Sequence, residues 1–378
     1  MYINRKITIL DELQEKSVFL LGPRQTGKSS FIRNKLSEAR VYNLLESDTF
    51  LKLNQAPQRI REELTDSDKI IVIDEIQRFP TLLNEVHLMI EEHDVRFLLT
   101  GSSARKLRRV GVNLLGGRAR MRHLHPFSFS ELGDAFDLNK AINYGLLPSI
   151  YLSSNPEADL NSYIGLYLQE EIVAESATRN IPAFSRFLQV AALCNGKIIN
   201  YSNIANDAQV ARTTIQEYFQ ILKDTLLAFE IPAWKQSLKR KPISTSKFYF
   251  FDMGVTRLIQ NRALLNKGSP EYGEAFESYI CHELKTFIDY THLKGLNYWR
   301  SKSGFEVDFI ISNEIAIEVK AKDNVSLQDI KGIKALQEEK KHKHYIVVSF
   351  EKTTRMVGGI QILPWKIFLE KLWGREFI

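Results

Sequence analysis

The stretch Val18-Phe19-Leu20-Leu21-Gly22-Pro23-Arg24-Gln25-Thr26-Gly27-Lys28-Ser29 decides the fold of the N-terminal third. Its first four residues are an apolar run of the buried-strand kind, the next eight match G-x4-G-K-S, and Ser29–Leu36 then reads as a helix. Glycines at Gly22 and Gly27 let backbone N–H groups turn inward around phosphates, and the helix start adds a favourable dipole. In this context Lys28 is expected to reach the β/γ-phosphates of ATP and Ser29 to ligate Mg2+, with Pro23, Arg24, Gln25, Thr26 and Ser30 completing the nucleotide contacts.

Further apolar runs follow at Val41–Leu45, Ile70–Ile73 and Phe97–Leu99, separated by segments of helical character. That alternation predicts an α/β domain over residues 1–130, with a parallel sheet covered by helices. The run ending in Asp74-Glu75 delivers two carboxylates at a strand's carboxyl end, where open α/β sheets bind ligands. Asp74 is expected in the magnesium shell and Glu75 as the group that polarises the attacking water. Thr100 and Ser102, at the end of the next strand, are candidates for sensing the γ-phosphate.

Between Arg105 and Arg122 there are seven Lys or Arg residues and no acid. The block offers Arg118, Arg120 or Arg105 as an arginine finger, or contacts to nucleic-acid phosphates. A finger supplied by a neighbouring copy would imply a homo-oligomer.

The chain has 378 residues, a formal net charge of +6 and 44% hydrophobic residues, enough for several packed domains and only mildly biased towards a polyanionic partner. Its two cysteines, Cys194 and Cys281, lack metal-ligand spacing and read as core residues. The start MYINRKITILDELQEK has a short apolar stretch broken by acids, so it predicts neither a secretory signal nor a membrane span, and a cytoplasmic location is expected.

Residues 131–180 turn helical and predict a small lid or linker. Residues 181–265 predict a winged-helix-like domain: Tyr201–Ala205 and Val210–Leu222 read as helix, turn, helix, capped at Ser202. Arg212, Thr213 and Gln216 would be exposed where a recognition helix meets a major groove. Strands around Phe229–Ile231 and Phe248–Phe251 would flank the basic link Lys239-Arg240-Lys241.

Residues 266–378 contain Phe305–Ile311 and Ile315–Lys320, which alternate with period two around Ser312–Glu314 and read as a β-hairpin. A three-residue turn sets Asp308 opposite Glu318 and Glu306 opposite Lys320, with the odd positions as an apolar face. Opposed carboxylates repel unless a cation lies between them, which predicts Mg2+ or Mn2+ on Asp308 and Glu318, with Lys320 orienting water. This D-x9-E-x-K arrangement is similar to the PD-(D/E)xK nuclease core, in which an acid on the preceding helix is a frequent addition; Glu277 fits that place. An ion-paired hairpin, or a nuclease fold that binds DNA without cutting, are the competing readings.

The segments GPRQTGKSS, VIDEIQ, LLTGSSARKL, GGRA with HPFSFSEL, KFYFFDMGV, YGEAFESYICHEL, EVDFII and AIEVKAK together resemble a prokaryotic family of AAA+-type P-loop ATPases fused to a C-terminal region of unknown function. The resemblance implies ATP binding and hydrolysis at an AAA+-like domain. It defines little of the downstream chemistry. Acting on DNA by processing or remodelling is the expectation, and a regulatory ATP switch that docks proteins is the alternative.

Overall fold

The computed structural model describes residues 2–103, 105, 115–168 and 180–377, with backbone only at 166–168. Two compact units emerge, one built on residues up to Phe127 together with Phe219–Leu227, the other on the chain from Ser128 apart from such short excursions. The described residues of the 131–180 segment expected as a lid group with the second unit. So does the expected boundary at 265–266, which falls inside that unit.

In the first unit, β1 (Ser17–Leu21), β2 (Arg40–Asn43), β3 (Ile70–Asp74), β4 (Arg96–Gly101) and β5 (Ala119–His123) form a five-stranded sheet in the order β2-β3-β4-β1-β5. Every pairing is parallel. This parallel α/β sheet is consistent with the P-loop ATPase fold expected from the sequence. Phe19, Leu21, Ile71, Ile73, Phe97 and Leu99 all face one core with Leu83, Val86 and Met89 of the helix Leu83–Glu92. Burial on both faces is why the inner strands read as unbroken apolar runs.

The strand β5 has no such run. It is an edge strand whose arginines are answered by acids elsewhere: Arg122 forms a bidentate pair with Glu12 at 2.8 and 2.6 Å, and Arg120 meets Glu15 at 2.8 Å. A basic edge reads in sequence as a patch, not as a strand.

In the second unit, helices Ile181–Leu193 and Tyr201–Ala208, with the start of Arg212–Asp224, whose residues from Phe219 group with the first unit, are interleaved with β6 (Lys197–Ile198), β7 (Ala228–Ile231) and β8 (Lys247–Phe250), a three-stranded sheet ordered β6-β8-β7. The expected cap at Ser202 is replaced by Asn200, whose side chain accepts from the N–H groups of Ser202 and Asn203 at 3.1 and 3.2 Å. An amide oxygen one residue before the first turn reaches both donors, which a serine inside that turn cannot.

A six-stranded mixed sheet follows, ordered β13-β14-β12-β11-β10-β9, from β9 (Leu296–Arg300), β10 (Glu306–Ile311), β11 (Ile315–Lys320), β12 (His344–Ser349), β13 (Arg355–Val357) and β14 (Ile360–Pro364). The hairpin pairs Phe309 with Ile317 and Ile311 with Ile315, the register set by its turn. Its two faces are both buried, however, because the hairpin lies inside the mixed sheet and the helices Pro270–Thr291 and Lys331–Gln337 pack against it. An irregularity against β9 between Val307 and Ile310 puts both of those residues into one core, so the single odd-numbered apolar face does not form.

Candidate functional site

Strand order brings the first candidate site together at the carboxyl edge of the parallel sheet. The loop after β1 carries the glycines, β3 ends in Asp74, and β4, lying between those two strands, ends in Thr100-Gly101. Gly22 approaches the backbone so closely that a Cβ there would lie 2.4 Å from the Leu124 carbonyl oxygen. Gln25 and Gly27 take positive φ of 62° and 97°, which turns the loop into the helix Lys28–Lys35.

Lys28 is buried, and its ammonium donates to the carbonyls of Gly22 at 2.7 Å and Pro23 at 3.1 Å. Thr26 Oγ1 donates to the same Pro23 carbonyl at 2.8 Å. Ser29 Oγ donates to Asp74 Oδ2 at 3.0 Å, and Thr100 Oγ1 donates to the other carboxylate oxygen. Thus Ser29, Asp74 and Thr100 form one chain of polar contacts across three separated segments. Gln25 is solvent-exposed, Arg24 is half-buried, and Ser30 Oγ accepts from Arg33 at 3.3 Å.

Two residues not picked from sequence complete this edge. Gln77 Nε2 donates to Glu75 and, at 3.0 Å, to Ser102 Oγ, tying the two strand ends together. Its place in VIDEIQ, two residues past Glu75, was the available signal. Arg5 donates to the Thr26 carbonyl at 2.6 Å and to the His125 carbonyl, with its guanidinium 5.2 Å from the Phe127 ring centre. Nothing in the local sequence marks it.

Of the finger candidates, Arg118 is engaged by Glu91 and Arg120 by Glu15. Arg105 is described, but residues 106–114, which carry three of the seven basic residues of the block, lie outside the described residues.

A hydroxyl and a carboxylate meeting at 3.0 Å beside a phosphate-type loop are hard oxygen donors that fit magnesium, which keeps waters and takes substrate phosphates as its remaining ligands.

The second candidate site lies in the second unit. Asp308 and Glu318 are buried, and the N–H of Val319 donates to Asp308 Oδ2 at 2.8 Å. The expected Glu306–Lys320 pair does not form. Glu306 meets Lys247 at 2.7 Å and Arg300 at 3.3 Å, while Lys320 turns to Glu318 at 2.5 Å. The hairpin ladder stops at Phe309–Ile317, so residues beyond it follow the partners that neighbouring strands supply. Burial, and then the proximity of Asp308, push the Glu318 carboxyl well above the usual range.

Lys247 is the residue missed here. It is 3% exposed on β8, and its ammonium lies 2.7 Å from Glu306, 3.4 Å from Glu277 and 3.7 Å from Asp308, over the Tyr298 ring at 5.5 Å. A lysine in the apolar run KFYFF was its sequence signal, since a charge there needs partners. Among the described residues no group of three or more His, Cys, Asp or Glu side chains is arranged to hold a metal ion. With a lysine among its carboxylates, the cluster does not fit Mg2+ or Mn2+ as it stands.

Fold and site together define the first domain as an AAA-type P-loop ATPase domain. The sequence model of the AAA domain family matches residues 5–133, and two domains of unknown function, DUF8612 and DUF4143, match residues 135–266 and 272–368. An uncharacterized protein of Mycobacterium tuberculosis is 24% identical over 301 residues, 78% of this chain and 67% of its own length. Another from Methanocaldococcus jannaschii is 22% identical over 417 aligned positions, 96% of this chain and 82% of that protein. Among solved structures, the Aeropyrum pernix ORC1 protein in complex with DNA overlaps at a TM-score of 0.25 and 12% identity, over 65% of this chain and 86% of that one. Can2 from Sulfobacillus thermosulfidooxidans in complex with cyclic tetra-adenylate gives 0.23 and 9%, over 96% and 99%. Overlaps at those scores carry no argument. Among the described residues no helix is long and apolar enough to cross a membrane.

Proposed function

We propose that this protein hydrolyses ATP at the loop Gly22–Ser29 and uses the turnover to act on DNA through its second unit. The observation that carries the first half is the polar chain Ser29–Asp74–Thr100 at the carboxyl edge of the parallel sheet, beside the buried Lys28. Lys28 would exchange its two carbonyl partners for phosphate oxygens. Ser29 and Asp74 would hold magnesium, which supplies positive charge to the phosphate oxygens.

Glu75 would accept a proton from the attacking water as its oxygen bonds to the γ-phosphorus and the bridging bond to ADP breaks. In the described arrangement Gln77 holds the Glu75 carboxylate, so Gln77 positions this group. Phosphate release is the test. Lys28→Ala should abolish turnover, and Glu75→Gln should bind ATP while losing about 100-fold or more in kcat.

Support for DNA is the helix Arg212–Asp224, whose Arg212, Thr213 and Gln216 are exposed while Ile215, Phe219 and Leu222 are buried, and which falls in sequence between the strands β6 and β7 of a three-stranded sheet. That order of elements favours a winged-helix reading of residues 181–265. The alternating hairpin and the acids Glu277, Asp308 and Glu318 with Lys320 favour a nuclease-like fold for residues 266–378. Duplex and single-stranded DNA should raise the ATP turnover rate, and Arg212→Ala with Gln216→Ala should remove that stimulation. A rate indifferent to every DNA would favour the alternative, a regulatory ATP switch that docks proteins.

A further inference from the structure

A divalent cation among opposed carboxylates is what the hairpin β10–β11 predicts, and a lysine is what stands there. The ammonium of Lys247 has three carboxylates within 3.7 Å, from the helix Pro270–Thr291 (Glu277) and from β10 (Glu306, Asp308), and an aromatic face from β9 (Tyr298). We propose that Lys247 is a tethered counter-cation that takes the place of a divalent metal in this cluster, closing it to metal, so that the second unit holds its nucleic acid without cutting it. The final clause rests on the nuclease-like, DNA-acting reading; the cation itself does not.

Three observations support a permanent rather than a passing occupant. Lys247 lies on the middle strand of its sheet, paired to Ile198 on one side and Ile231 on the other, so withdrawing it would break two ladders. The segment leading into it is fastened to the mixed sheet: Trp234 donates to the Tyr298 carbonyl at 2.7 Å and Ile243 to the Arg300 carbonyl at 2.8 Å. And the charges nearly close. Glu277, Glu306, Asp308 and Glu318 face Lys247, Lys320 and Arg300, which leaves little negative charge for a dication to neutralise.

One ligand atom is left over. Glu318 Oε2 is buried and has no hydrogen-bond partner among the described residues, while its other oxygen meets Lys320. Removing the Lys247 charge without removing the acids should therefore open a cation site built on Asp308 and that free oxygen.

The experiment is a Mn2+ titration of the full chain, followed by calorimetry and by melting temperature, for wild type, Glu318→Gln, Lys247→Met and the double variant Lys247→Met with Asp308→Asn. Wild type and Glu318→Gln should behave alike. Lys247→Met should gain a site at least about tenfold tighter than any Mn2+ binding by wild type, with its melting temperature raised by Mn2+, and the double variant should not. A wild-type Mn2+ site that disappears in Glu318→Gln would overturn the proposal, as would a folded Lys247→Met protein that gains none. Should Lys247→Met fail to fold, the wild-type and Glu318→Gln pair decides alone: equal titrations uphold the lysine as the cluster's cation, unequal ones refute it. These readouts contain neither ATP nor DNA, so failure of the DNA reading appears separately, as DNA-indifferent ATP turnover.

Discussion

The guanidinium of Arg5 donates a 2.6 Å hydrogen bond to the carbonyl of Thr26, inside the loop that carries Lys28. The same side chain reaches the His125 and Pro126 carbonyls beyond β5, so one arginine near the start of the chain holds the phosphate-type loop against the segment that follows the edge strand. Hydrogen bonds from a charged donor are each worth roughly 1.5–3 kcal/mol. Arg5→Ala should therefore raise the KM for ATP by about tenfold or more, with kcat changed far less, since Arg5 touches the loop and not the water-activating group. Steady-state kinetics separates the two, and Arg5→Lys should recover only part because lysine lacks the planar fork.

Thr100 is the only donor from β4 to Asp74 among the described contacts. Thr100→Val keeps the shape and removes the hydroxyl. We expect kcat to fall by about tenfold while nucleotide binding, measured by fluorescence of a labelled ATP, stays within about twofold. Equal loss in both quantities would mean that Thr100 supports the loop rather than the chemistry.

Glu283 is fully buried in the second unit, where it accepts from the Phe129 N–H at 2.7 Å and from Trp373 Nε1 at 2.9 Å. Burial dominates these bonds and pushes its carboxyl up to about 7, with Glu131 adding and Tyr279 opposing. A carboxyl raised above its unfolded value keeps its proton in the folded chain after the unfolded chain has lost it. Stability from this group is thus fully present below its unfolded pKa of about 4.5 and is lost as pH rises to about 7. The melting temperature should decline over that interval, and Glu283→Gln should flatten the decline. A slope unchanged in the variant would assign the effect elsewhere, with Asp252, raised to about 6 chiefly by burial, the next group to test.

Asp252 also explains one glycine. Its carboxylate accepts from Leu146 at 2.7 Å and Val255 at 3.0 Å, and the chain turns past it at Gly145 with φ +80°. A Cβ at Gly145 would lie 1.9 Å from Asp252 Oδ1. Gly145→Ala should cost about 3 kcal/mol or more, read as a lowered denaturation midpoint at unchanged m-value. An ordinary midpoint would mean that the turn relaxes freely.

The inner strands, the phosphate-type loop and the Asp74–Glu75 pair were legible because each is written in a short window: an apolar run, a glycine spacing, two acids at the end of a strand. The strand β5 was not, since its residues Ala119–His123 carry charges that only the distant Glu12 and Glu15 make compatible with a sheet. The hairpin β10–β11 was legible with its register, Phe309 against Ile317. Its charge partners were not, because the ladder ends there and Lys247 arrives from another strand.

By itself, the sequence determined what local rules can write: a glycine loop between strand and helix, alternation around a short turn, and acids at the end of a buried strand. Only the tertiary structure decided which charges meet. Arg5 reaches Thr26, Gln77 joins Glu75 to Ser102, and Lys247 stands among Glu277, Glu306 and Asp308. Backbone geometry is a property of a few consecutive residues, whereas a buried charge is satisfied by whatever long-range packing brings within about 4 Å, and that depends on the whole chain.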